Sequence, residues 1–170
     1  MQLPWKRLFA AIAFVFYLAV LFKIILFKFG SPNIPFLWTM LQQFMEEPFR
    51  TDHWRLYNFV PFQQIAPIVR DPSLYGFIQV FGNIGLFVPF GIFIGCMIRG
   101  ISITAAVLLA FGLSLLLECS QLVFYIGAFD VDDLILNTLG GAIGIVIYKR
   151  ILQQPDTAAN RTVQKQIKGV

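Results

Sequence analysis

Charge is what this sequence has least of. Charged residues make up 13% of its 170 residues, where soluble domains run near 25%. A chain so poor in charge cannot cover a water-facing surface, which excludes an ordinary soluble domain. Histidine occurs once, as His53 in a polar loop, and cysteine twice, as Cys96 and Cys119. Both cysteines sit in apolar runs and neither belongs to a CxxC pair. A zinc site of the usual ligand spacing and a disulfide framework therefore have no support, and no Ser-His or Cys-His pair supports nucleophilic hydrolysis. The net charge of +4 has no basic face outside the apolar runs behind it, so a nucleic-acid partner is not expected.

What the chain does have is hydrophobic length: 58% of its residues are apolar, gathered into runs long enough to cross a bilayer. The runs place spans at about 8–27, 74–98, 101–123 and 131–148. The first follows Lys6 and Arg7 but is longer than a signal-peptide core, and no small-residue cleavage site follows it, so it is retained. Arg99-Gly100 makes the second and third spans an antiparallel hairpin. We expect one transmembrane domain over residues 1–152 and a polar tail over 153–170. Lys6, Arg7, Arg99, Lys149, Arg150 and the tail's Arg161, Lys165 and Lys168 all fall on one side of such a bundle. Loop Lys and Arg mark the cytoplasmic side, so both termini are expected there, and the loop of about residues 30–73 outside. The fold class is all-α, an integral membrane four-helix bundle. Within the outer loop Leu37, Trp38, Met40, Leu41, Phe44, Met45 and Phe49 recur at helical spacing opposite Gln42, Gln43, Glu46 and Glu47. That pattern predicts an amphipathic helix at the membrane interface. Pro61 and Pro67 exclude a long helix after it.

Against this background the stretch from Leu115 to Gly141 is anomalous, because it sets carboxylates among bilayer-ready residues. A charge at the bilayer centre costs at least about 2.5–3.5 kcal/mol. At about 1.5 Å per residue, Glu118 lies about 7–8 Å below the outer end of its span, and Asn83 and Asn137 lie toward the outer ends of theirs. Lys23 lies near the outer end of the first span, so that four polar side chains, one per span, are expected in a common outer layer. Ser114, Glu118 and Gln121 share one helical stripe, and so do Asp130, Asp133 and Asn137, continued by Gly141 and Gly144. Gly91 and Gly95 form a GxxxG on the second span. These residues predict a compact bundle with a polar cleft opening outward, lined by Glu118, Gln121, Asp130, Asp133, Asn137 and Asn83. Asp132 falls on the other face and is expected to be a solvated acid at the helix start.

Three motifs give the chain a likeness. Glu118-x-x-Gln121 is followed by Asp130-x-x-Asp133-x-x-x-Asn137-x-x-Gly140. Upstream stand Asn83-x-x-x-Phe87-x-Pro89-x-Gly91 and Tyr57-Asn58-Phe59-Val60-Pro61-Phe62. In order and spacing these resemble the VanZ-like family of bacterial membrane proteins, over about residues 55–148. In one respect the chain departs from the pattern: Gly127-Ala128 stand where many members carry Arg. The resemblance implies lowered susceptibility to teicoplanin, a lipoglycopeptide antibiotic, and it supplies no reaction. Three functions stay open. One is a non-enzymatic factor, without a cofactor, whose cleft binds a membrane lipid or cell-envelope precursor. The second is a lipid-modifying enzyme in which Glu118, Asp130 and Asp133 hold Mg²⁺. The third is a small lipid transporter, which with only four spans would need a homo-oligomer.

Overall fold

The computed structural model describes residues 4–27, 33–47, 57–63 and 65–152. Phe49, His53, Trp54 and the tail 153–170 lie outside the described residues. Among the described residues six α-helices follow one another: α1 (Pro4–Phe27), α2 (Ile34–Glu46), α3 (Ile65–Arg70), α4 (Leu74–Met97), α5 (Ile103–Phe124) and α6 (Val131–Ile147), with a π-helical turn at Tyr148–Leu152. Among the described residues there is no β-strand, only one isolated parallel bridge between Asn58 and Asp130. Among the described residues four helices are long and apolar enough to cross a membrane: Leu8–Phe27, Leu74–Met97, Ile103–Phe124 and Val131–Ile151, of 20 to 24 residues. A hydrocarbon core of about 30 Å needs about 20 helical residues, so each suffices. The fold is an all-α membrane bundle.

Local chemistry sets the boundaries. Ser73 and Ser102 cap α4 and α5, their hydroxyls accepting from the backbone N–H of Gly76 and Ala105 at 3.1 and 3.0 Å. Such caps answer donors that helix ends leave orphaned, a need that is sharper where lipid replaces water. The turn between them uses Gly100 at φ +74°. α5 stops at Tyr125, in the left-handed region at φ 50°, whose N–H returns to the carbonyls of Gln121 and Leu122. Asp130 then starts α6, its side chain accepting from the N–H of Asp132 at 2.8 Å.

The packing centre is α6, which meets α4 along the most extensive interface of the molecule and then α5. Glycine makes the α4–α6 approach. A Cβ built on Gly91 would collide with the carbonyl oxygen of Gly141, and one on Gly144 with that of Val88. Backbone meets backbone there, the close approach that small residues allow in membranes. Phe87, Phe90, Ile94, Ala106, Ala110, Leu117 and Ile145 fill the core. α1 packs less deeply, with Leu21 fully buried and the Tyr17 hydroxyl donating to the Leu86 carbonyl of α4 at 2.7 Å.

α2 lies outside the spans, starts three residues earlier than its apolar pattern predicts and buries none of its residues. Asn33 caps it, accepting from Phe36 N–H at 3.1 Å, and Pro35 in the first turn fits a position where no N–H is needed. The helix rests against α5 with Ile34, Trp38 and Met45 exposed. α3 is the single short turn that the prolines allow.

Candidate functional site

The polar residues anticipated from the sequence gather at the end of the bundle where α5 finishes and α6 begins. Asn58, Ser114, Glu118, Gln121, Asp130, Asp132 and Asn137 are all buried. Their arrangement follows from what the first turn of α6 lacks. Helix N-terminal N–H groups have no intrahelical partner and carry positive partial charge, and here carboxylates and a carbonyl meet them. Glu118 Oε2 accepts from the N–H of Asp130 at 2.9 Å. The Asn58 carbonyl accepts from the N–H of Val131 at 3.1 Å. Asp130 Oδ1 accepts from the N–H of Asp132 and from Asn58 Nδ2, both at 2.8 Å. Residues 57–63 are thereby laid across the start of α6, joined also by Asn58 N–H donating to the Phe129 carbonyl at 2.9 Å.

Asp132 overturns its expectation. It is 1% exposed, and its two carboxylate oxygens accept from the N–H groups of Phe62 and Ile65. The helical wheel puts it opposite Asp130 and Asp133, but the segment arriving from Asn58, which also meets Asp130, covers it. An acid at a helix start is expected to be solvated where nothing local covers it; here the cover comes from about seventy residues upstream.

Deeper pairs join the helices. Asn83 Nδ2 donates to Asp133 Oδ1, linking α4 to α6. One turn further in, Asn137 Nδ2 donates to Ser114 Oγ at 3.0 Å, linking α6 to α5. Oδ1 of Asn137 is buried and has no hydrogen-bond partner among the described residues. Gln121 stands apart: its Nε2 donates to the Ile25 carbonyl of α1 at 3.0 Å, and it packs against Gly127. Lys23 is exposed and does not enter the layer.

The layer is therefore roofed rather than an open cleft. The structure pairs Glu118 with Asp130, Asp133 with Asn83, and Asn137 with Ser114. Gln121 serves a different contact. Asn58 and Ser114 belong to the layer and were not anticipated as site residues; the Asn58 motif and the Ser114-Glu118 stripe were the available signals. Each of these carboxylates turns at least one oxygen toward an N–H donor, and among the described residues no three His, Cys, Asp or Glu side chains could hold a metal ion. Above the layer, Phe59 stacks on Phe129 with ring centroids 5.5 Å apart, and Tyr57 meets Phe59 edge-on at 6.1 Å. Burial, with Tyr125 beside it, pushes the Tyr57 phenol above its ordinary pKa.

Residues 14–153 match the VanZ/LLP1 family model. Over 96 residues the chain is 31% identical to Protein VanZ of Enterococcus faecium, covering 56% of this chain and 54% of that protein. The chain thus spans about half the length of the curated relative it matches. No solved structure matches it.

Proposed function

The chain belongs to the VanZ/LLP1 family, and from that premise we propose that it lowers susceptibility to lipoglycopeptide antibiotics such as teicoplanin. It acts in a bacterial cell membrane, with both termini cytoplasmic and the polar layer toward the outside. Through that layer it binds a membrane lipid or cell-envelope precursor and changes what the antibiotic meets at the membrane surface. One observation carries the binding role. Asn137 Oδ1 is buried without a partner, one turn below Asp133 and level with Ser114, to which its Nδ2 is bonded. An acceptor left so costs about 1–3 kcal/mol, a cost that a ligand's hydroxyl or amine would remove. Intramembrane polar groups that hydrogen bonding alone leaves unsatisfied are functional candidates.

The test is Glu118→Gln. The amide oxygen can still accept from Asp130 N–H, so packing should survive while the charge is lost. We expect normal expression and detergent melting with loss of the resistance phenotype, and the same for Asp133→Asn and Asn137→Ala. A purely structural layer predicts a neutral or mildly stabilising effect from removing a buried charge. Teicoplanin susceptibility at wild-type levels in Glu118→Gln, at normal expression, would remove the binding role.

A further inference from the structure

Residues 57–63 are attached to the bundle in an unusual way. Phe59, Val60 and Phe62 are 51%, 60% and 57% exposed, and Asn58 is the one buried residue in the segment. Apolar burial therefore contributes little to holding it down. Its attachment is polar and converges on two acids of α6. Asn58 exchanges backbone hydrogen bonds with Phe129 and Val131 and donates its side-chain amide to Asp130. Asp132 takes the N–H groups of Phe62 and Ile65, which flank the far end of the segment. Between these ends Asn58 Oδ1 accepts from Val60 N–H at 3.2 Å, and Phe62 sits at φ 67°, in the left-handed region. That region is unfavourable for a bulky side chain, so the conformation depends on the Asp132 contacts.

Beneath the segment the polar groups are stacked in sequence. Asp130 touches Asn58 above and Glu118 below. Ser114 lies one turn deeper than Glu118 on α5 and is bonded to Asn137; all three side chains are at most 1% exposed. A segment with few buried apolar contacts, held by a few hydrogen bonds, belongs to the part of a protein that opens locally without global unfolding.

We propose that residues 57–63 are a strap that gates the Ser114–Asn137 layer, with Asp132 as its latch. Release of the two N–H groups from Asp132 swings the strap off the α6 N-terminus and admits a ligand from the surface to Glu118 and Asn137. The exposed aromatic residues of the strap keep to the membrane interface as it moves, where aromatic rings are at home. The gate deepens the binding role proposed above and rests on the same layer, but it can be tested without any resistance assay.

The experiment uses the full chain in native membranes, with Cys96→Ala and Cys119→Ala, and a cationic, membrane-impermeant methanethiosulfonate as probe. The reporter is Ser114→Cys. With Asp132 intact, labelling should be slow. In Asp132→Asn, one carboxylate acceptor becomes an N–H donor facing another donor, and labelling should accelerate roughly tenfold or more, as loss of a charge-assisted hydrogen bond implies. Asn58→Ala, which cuts a different strap contact, should accelerate it as well. Ile145→Cys, fully buried in the core, reports global loosening and should stay slow in both variants. Equal Ser114→Cys rates with and without the latch would overturn the gate, and so would acceleration at Ile145→Cys in parallel. Faster local labelling with unchanged susceptibility would keep the gate and remove the proposed function.

Discussion

At the residue scale the carboxylates have distinct tasks that their shared depth conceals. Glu118 and Asp130 answer donors of the α6 start, Asp133 binds α4 through Asn83, and Asp132 binds the strap. The cost of bringing acids this deep is offset by donors that would otherwise be orphaned, since hydrogen bonds to charged groups are among the stronger ones. This makes a graded prediction for stability. Asp132→Asn leaves one of the N–H groups of Phe62 and Ile65 unanswered and should destabilise by about 1–3 kcal/mol, read as a lower melting temperature in detergent. Glu118→Gln keeps an acceptor for the Asp130 N–H and should melt near wild type. Equal melting of the two would mean that Asp132 holds nothing that Glu118 does not.

At the element scale, the α4–α6 interface predicts opposite outcomes for two classes of glycine. Gly144→Ala places a methyl against the Val88 carbonyl oxygen, where neither backbone can give way; we expect loss of detergent-stable protein. Gly82 and Gly112 face open space on α4 and α5, so Gly82→Ala and Gly112→Ala should be neutral or stabilise by up to about 1 kcal/mol through helix propensity. Expression and melting of the three variants decide the matter. The same contrast explains what could be read in advance. Span positions followed from apolar run length, and the glycine face of α6 from helical period, because both signals are local. Glu118, Asp133 and Asn137 were legible as a layer because lipid forces polar groups on neighbouring spans to meet. The strap was not legible, nor the role of Asp132, because its contacts join residues about seventy positions apart and leave no periodic trace. Gln121 was misplaced for a related reason: its stripe was right, but its partner is a backbone carbonyl of α1, and carbonyls carry no sequence signal.

At the scale of the whole molecule, the contacts fix which helix ends lie together, and charge then orients the bundle. Gln121, near the end of α5, touches Ile25, near the end of α1, so α1 and α5 run in the same direction. Lys6 and Arg7 at the α1 start, Arg99 before α5, and Lys149 and Arg150 after α6 therefore share one end, opposite the polar layer. Basic residues flanking spans stay cytoplasmic, so the termini should be inside and α2 with the strap outside. Single cysteines in a Cys96→Ala, Cys119→Ala chain test this on intact cells with a membrane-impermeant thiol reagent. Gln43→Cys, exposed on α2, should label at once, whereas Asn160→Cys in the tail should label only after the membrane is broken. The proposed route of a ligand depends on this result, since the strap can admit an envelope component only from the outer face. Rapid labelling of Asn160→Cys on intact cells, with Gln43→Cys protected, would invert the bundle and place the polar layer at the cytoplasmic surface, out of reach of any extracellular antibiotic target.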